Sequence, residues 1–289
     1  MIIREPDAAS VADLARGLTF SRPSVASFLT RPAEHPDPQL QAAVEAAAEV
    51  SYGELGAMVI DLDTGGVAAV HPDRVFPAAS LFKLPILVEV LEQEAQHQLE
   101  PQQLLEIRPD DWTDGSGVLQ TRVGDRLRVQ ELVRLMIQDS DNIAALVLLD
   151  AVSAGAVNAR LAAMGLSATH VRDHRAGETE PHVTSPRDMA RLLADLASAQ
   201  LFDPDTSEAG LRMLELHQAS NWLGDKLPWW AKVAHKWGDL PEARHDVGIV
   251  FTPRGSYISA VLTENGRPEE ARQAIARIAR AAYDARRRA

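Results

Sequence analysis

Extended apolar segments lie near both ends of this chain, and a long stretch of helical periodicity separates them. Near the start, Gly56-Ala-Met-Val-Ile-Asp-Leu and Val67-Ala-Ala-Val flank Asp63-Thr-Gly-Gly, which reads as a β-hairpin. Toward the end, Ala231 to Lys236, Asp246 to Phe251 and Tyr257 to Leu262 read as strands, the last two joined by the turn Thr252-Pro-Arg-Gly. Between them, from Ser80 to about Leu214, apolar residues recur mainly at helical spacing. Val129-Gln-Glu-Leu-Val-Arg-Leu-Met-Ile and Ile143-Ala-Ala-Leu-Val-Leu-Leu both show it. Another helix starts at Pro186, with Ser185 as N-cap and proline in the first turn. Terminal helices are expected from Pro38 to about Val50 and from about Pro268 to Arg287. Strands so distant in sequence bury their apolar faces most economically in one sheet. The expected fold is therefore α+β, an α/β-α sandwich: an antiparallel five-stranded sheet built from both chain ends, flanked by terminal helices, with an inserted all-α lobe.

This arrangement divides the 289 residues into an N-terminal extension, 1–37, and a main domain, 38–289. Within the latter, 38–80 and 215–289 form the sheet lobe and 81–214 the helical lobe. In the extension, Asp7 to Leu18 is compatible with a short amphipathic helix, and Pro23, Pro32, Pro36 and Pro38 interrupt regular structure beyond it.

The formal net charge of −12 argues against nucleic acid or an anionic membrane as partner. The Arg286-Arg-Arg end reads instead as a helix terminus whose positive charge complements the dipole. With no cysteine, disulfides, thiolate catalysis and cysteine-ligated metals are excluded. The first residues lack the apolar core of a secretory signal, and no run is long enough to span a membrane. The expectation is a monomer with a small-molecule substrate, cytoplasmic as encoded unless this is the mature form of an exported protein. No cofactor or metal is expected: His170, His174 and His182 cluster in one loop, but their spacing matches no standard zinc motif, and they are expected to be solvated.

The chemistry starts at Phe76-Pro-Ala-Ala-Ser-Leu-Phe-Lys-Leu-Pro. If that stretch opens a helix, Ser80 and Lys83 share a face at its N-terminus, where backbone N–H groups favour developing negative charge. A hydroxyl, a candidate base and an oxyanion site within one turn make a nucleophile device. Two further elements come next in order: Ser140-Asp-Asn142, between two helices, and Lys236-Trp-Gly238, at a strand end. Ser-x-x-Lys, Ser-Asp-Asn and Lys-Thr-Gly in this order are the signature of class A β-lactamases and penicillin-binding proteins. From about Pro38 onward the chain resembles that family. Thr184-Ser-Pro-Arg-Asp-Met also resembles the stretch that closes the family's omega loop.

The resemblance implies a serine hydrolase that opens β-lactam amides through a Ser80 acyl-enzyme. A D-alanyl peptidase or esterase, or a penicillin-binding sensor with slow deacylation, is the alternative. Lys83 would be the base, which requires it neutral; burial and the nearby Lys236 would lower its pKa from about 10.4. Ser140 would relay a proton, Asn142 would hold a substrate amide and orient Lys83, and Lys236 would meet a substrate carboxylate. By the same resemblance, the backbone N–H groups of Ser80 and of Asp239, just past Gly238, form the oxyanion hole.

Two departures from the family pattern stand out. Trp237 replaces the usual hydroxyl residue, and its indole either narrows substrate entry or turns away and packs. The omega loop is short. Glu180-Pro181 imitates the family's Glu-Pro and makes Glu180 the candidate base for deacylation, but Thr184 stands where the family has asparagine. Glu178 is a second possibility.

Overall fold

The structure is a computed structural model, described here for residues 20–286; the expected helix from Asp7 to Leu18 lies outside the described residues. One sheet of six strands runs through the molecule in the order β1-β3-β2-β10-β9-β8. Its strands are β1 (His35–Pro36), β2 (Glu54–Asp61), β3 (Gly66–Val70), β8 (Lys232–Asp239), β9 (Ala243–Thr252) and β10 (Gly255–Glu264). The five expected strands form the antiparallel body, with Tyr257 opposite Asp61 where the two chain ends meet. The sixth is a two-residue strand that pairs parallel to β3, His35 against Gly66. Sequence could not reveal it, because two residues, one of them proline, carry no alternation to read.

The sheet is buried on both faces, so its central strands are continuously apolar rather than alternating. Met58 and Ile60 point into one core while Ala57 and Val59 point into the other. Helices α1 (Pro38–Ala47) and α8 (Pro268–Ala285) cover the second face, where Val44, Ile275 and Ile278 pack on Val59 and Val261. Asp37 caps α1 by accepting from the backbone N–H of Gln39 and Leu40. Tyr257 donates across this layer to the Ala279 carbonyl at 2.7 Å.

The other face carries the helical block: α2 (Lys83–Ala95), α3 (Val129–Gln138), α4 (Asn142–Val152), α5 (Ala154–Ala163), α6 (Pro186–Ala197) and α7 (Pro204–Leu214). Among these, α6 lies against β2, β9 and β10, and Ser185 caps it as expected, accepting from the Asp188 N–H at 3.2 Å. The short pairs β4 (Phe76–Pro77) with β7 (Val183–Thr184), and β5 (Leu104–Glu106) with β6 (Arg126–Arg128), tie loops to this block. No single helix among the described residues is long and apolar enough to cross a membrane.

The described part of the N-terminal segment packs on the body. Val25 and Phe28 are buried in the first core, and Arg22 pairs with Glu208 and Glu215 near α7.

Candidate active site

The strand β4 delivers the chain to Ser80. His245 fixes that delivery from β9: its Nε2 donates to the Pro77 carbonyl at 2.7 Å, while its Nδ1 accepts from the Thr263 N–H at 3.2 Å. Both ring nitrogens are thus engaged by a neutral imidazole, and burial pulls its pKa down to about 4. After Ala78 the chain makes a 3-10 turn, Ala79–Phe82, and α2 begins at Lys83. The expected helix start is therefore tighter than α at its first turn, which eclipses positions three apart and sets Ser80 over Lys83.

Lys83 is fully buried, and its Nζ meets four oxygens. These are the Ser140 carbonyl, Asn142 Oδ1 at 2.8 Å, Ser140 Oγ at 3.0 Å and Ser80 Oγ at 3.2 Å. The first two can only accept. Asn142 is oriented that way because its Nδ2 donates to the Asp114 carbonyl at 3.1 Å. A neutral amine has two N–H groups for those acceptors and one lone pair left for a hydroxyl proton. Burial, and then the charge of Lys236, push the Lys83 pKa well below that of an ordinary lysine, against an upward pull from Asp141. Ser140 Oγ lies 2.9 Å from Ser80 Oγ, so the two hydroxyls and the amine close a triangle.

Ser140 sits in the link between α3 and α4 with a φ of 52°, and Ala79, just before Ser80, has a φ of 45°. Both are non-glycine residues held in the left-handed region, a strain that persists where surrounding contacts over-determine it. At Ser140 the over-determining residue is Asp141, next to it. Its Oδ1 caps α4 at the Ala144 N–H, 2.8 Å away, and its Oδ2 accepts from Val118 at 2.6 Å and Leu119 at 3.0 Å. One carboxylate thus holds the Ser140 turn and the loop with Thr113, Gly115 and Ser116 that walls the cleft. Gly117 has no substitute there, since a Cβ would fall 2.2 Å from Asp141 Oδ2.

The opposite wall is the end of β8. Leu240 and Ala243 exchange both backbone hydrogen bonds, at 2.8 and 3.2 Å, across the tight turn. Antiparallel pairs alternate, so the next pair, Asp239 with Arg244, is not hydrogen-bonded to each other. The Asp239 N–H therefore faces the free edge of the sheet, beside Ser80. Gly238 makes that approach possible: a Cβ on it would sit 3.0 Å from Ala79 Cβ and 3.2 Å from the Ser80 nitrogen.

Lys236 lies differently from the expectation, and Trp237 follows one of its two expected courses. Lys236 is fully buried and donates to the Trp237 carbonyl at 3.0 Å, with Gln218 Oε1 at 3.5 Å. It is not among the residues lining the cleft. Trp237 takes the second of the two alternatives: it packs edge-on against Trp222, ring centroids 5.7 Å apart, in the core under α8. Trp230 is buried in that same core, while Trp229 is 72% exposed, so these tryptophans do not wall the cleft.

Burial brings the Lys236 pKa down to about 7, against an upward pull from Asp246. Between about pH 7 and the ordinary lysine value of 10.5 the unfolded chain binds a proton here that the folded chain does not. This group therefore makes stability rise with pH across that window, and below it the full burial cost is present. Lys236→Met should accordingly raise the melting temperature relative to the native chain most at pH 6 and progressively less toward pH 9. A difference independent of pH in thermal scans would contradict this.

The omega-loop side brings a correction. Two of the three loop histidines are not solvated: His174 is half-buried against Asp150, 3.2 Å away, and His182 lines the cleft and stacks on Phe82 with ring centroids 4.0 Å apart. Its Nδ1 accepts from the Arg172 N–H at 2.9 Å. Burial first, then the charge of Arg172, pull its pKa down to about 3. His182 is thus a neutral ring carrying its proton on Nε2, a donor toward the cleft rather than a base.

Glu180 is exposed, has no hydrogen bond or ion pair among the described residues, and does not line the cleft, although Pro181 beside it does. Glu178 is held at the surface by the Asp173 N–H and His170, which keep its pKa low. Thr184 is buried against Thr169, 2.8 Å between hydroxyls, in a knot closed by Asp188. The structure thus brings Ser80, Lys83, Ser140, Asn142, Gly238 and Asp239 together around a cleft of about 380 Å³ and leaves Glu180 outside it. Among the described residues no group of histidine and carboxylate side chains is placed to hold a metal ion.

This sheet with this inserted helical block and this order of motifs defines a serine hydrolase of the acyl-enzyme type. The chain belongs to the β-lactamase enzyme family, whose model matches residues 38–286. It is similar to the β-lactamase VEB-1 of Pseudomonas aeruginosa, 24% identical over 259 residues that cover 80% of this chain and 85% of that one. Its fold matches PBP-A with a TM-score of 0.79 and 28% identity, covering 88% of this chain and all (100%) of that one. A variant of PBP-A, matched equally well, is an acyl-enzyme complex with penicillin G. A β-lactamase from Sphaerobacter thermophilus matches with a TM-score of 0.78 and 30% identity, covering 87% of this chain and 98% of that one.

Proposed function

We propose that residues 38–289 are the catalytic domain of a β-lactam hydrolase in which Ser80 forms the acyl-enzyme. The observation that carries this is the set of hydrogen bonds at Lys83: two obligate acceptors take both N–H groups of a neutral amine and leave its lone pair to the Ser80 and Ser140 hydroxyls. As Ser80 Oγ bonds to the lactam carbonyl carbon, its proton passes to Lys83, and the carbonyl oxygen becomes an oxyanion between the N–H groups of Ser80 and Asp239. The ring C–N bond then breaks, and its nitrogen takes the proton back from Lys83 through Ser140 Oγ. Asn142 orients Lys83. Gly238 keeps the β8 end close enough for the oxyanion hole. Lys236 acts through its charge on Lys83, and Trp237 acts as packing. The protein acts as a monomer on a small molecule, a reading supported by its strongly negative net charge and self-contained cleft.

Release of the acyl group needs a base for water. Glu180 is the loop carboxylate beside cleft-lining Pro181, and it lies outside the cleft. That observation favours a second reading in which the enzyme acylates readily and deacylates slowly, as a penicillin-binding protein does. Intact-mass measurement after exposure to benzylpenicillin, alongside turnover of a chromogenic cephalosporin, tests both. An adduct absent from Ser80→Ala supports the acyl-enzyme; neither adduct nor turnover would sink it. Glu180→Gln should change the lifetime of the adduct by less than about threefold, against the roughly hundredfold or greater effect expected of a positioned general base. A stalled adduct specific to that variant would show that Glu180 reaches the water.

A further inference from the structure

With Lys236 buried behind the wall, the cation assigned by sequence to a substrate carboxylate has no surface in the cleft. The cleft nonetheless has an arginine in its wall. Arg172 lines it beside Leu146, Pro181 and His182. Its backbone is firmly placed: the preceding Val171 exchanges two hydrogen bonds with the Asn158 side chain, at 2.8 and 2.9 Å, and its own N–H holds His182.

Its side chain is the contrast. Arg172 makes no side-chain hydrogen bond or ion pair among the described residues, and its Nε is buried without a partner. Of the acids around it, Glu180 makes no ion pair with it, and the others are engaged elsewhere. Asp173 accepts from the N–H groups of Arg175 and Ala176, Glu178 is held by His170, and Asp150 pairs with Arg175 and His174. Asp239, the carboxylate in the cleft lining, pairs with Arg244 at the β8 end. The pull of Arg172 on the His182 ring shows that its charge is felt beside Phe82, within one turn of Ser80. A permanently charged fork of donors partly withdrawn from water and left without a counter-ion is costly, and a ligand anion would remove that cost.

Where the anion sits on the substrate depends on the acyl-enzyme reading, on which this inference rests. The attacked carbon has four directions. One is Ser80 Oγ, one is the oxyanion between two backbone amides, and one is the leaving nitrogen facing Ser140. The acyl substituent takes the remaining direction, along the omega-loop wall. We propose that Arg172 is a specificity residue of this cleft, and that the preferred substrates carry a carboxylate on their acyl side.

The test separates binding from chemistry. In the Ser80→Ala chain, which cannot be acylated, benzylpenicillin is titrated calorimetrically beside the penicillin that differs from it only by a carboxylate on the benzylic carbon. The carboxylated ligand should bind about tenfold or more tightly, the value of one charge-assisted contact. Arg172→Gln in that background should bring the ratio of affinities to about one, and Arg172→Lys should restore part of it. A ratio near one in the parent, a ratio that survives Arg172→Gln, or binding of neither ligand would each overturn the proposal. An equal loss for both ligands would also overturn it, because the guanidinium would then hold the ring carboxylate they share. Failure of the acyl-enzyme reading shows separately, as the absence of a Ser80 adduct in the native chain.

Discussion

Lys83→Met should slow acylation of Ser80 by about a thousand- to ten-thousandfold, measured as the rate at which penicillin adduct appears in stopped or quenched flow. The size comes from the site. Among the described residues Ser80 has no other base within hydrogen-bond reach: Ser140 is a hydroxyl, His182 presents N–H, and Asn142 offers Oδ1 only to Lys83. Methionine fills much the same volume, so the variant should remain folded. It removes a buried amine whose burial is itself unfavourable, while leaving the Ser140 carbonyl and Asn142 Oδ1 without a donor, and these effects oppose one another. Acylation by the native chain should fall as pH drops through the lowered Lys83 pKa and stay high well into the range where an ordinary lysine is already protonated. A loss of tenfold or less in a folded Lys83→Met variant would remove Lys83 from the role of base.

The second large effect concerns the backbone. Gly238→Val places carbon where Ala79 Cβ and the Ser80 nitrogen are 3.0 and 3.2 Å away. The end of β8 must then move outward, carrying the Asp239 N–H with it. Loss of one oxyanion donor costs about a hundred- to a thousandfold in rate, and a displacement of about 1 Å costs a comparable amount. Because β8 is the edge of the sheet, the shift breaks no pairing with a second strand, and the melting temperature should change by only a few degrees. Adduct formation within threefold of native would mean that the oxyanion is held elsewhere.

The parts of this fold and site legible in sequence are those encoded over short distances or in strong patterns. Ser80 and Lys83 are three residues apart, so any helical turn brings them together. The apolar strands at both ends leave few alternatives to one shared sheet. Strand parity allowed Trp237 to face either way, and what decided it was a pocket made by Trp222 in the second core. The burial of Lys236 depends on Gln218, which no local pattern connects to it. The path of the omega loop was least legible. Glu180-Pro181 copies a local signature, but the loop is pinned by Arg175 reaching back to Asp111 and Asp150, and those long-range pairs leave Glu180 outside and turn Arg172 and His182 inward.

The pairing of β2 with β10 has a consequence for how the protein is made. A ribosome releases residues 54–61 long before their partner strand, residues 255–264. Such distant pairing forms late and slowly compared with local helices. A nascent chain can thus hold Ser80 over Lys83 while the amide of Asp239, and with it half of the oxyanion hole, is still missing. Acylating power should switch on only as the sheet closes, so covalent labelling by penicillin during translation would serve as a clock for completed folding.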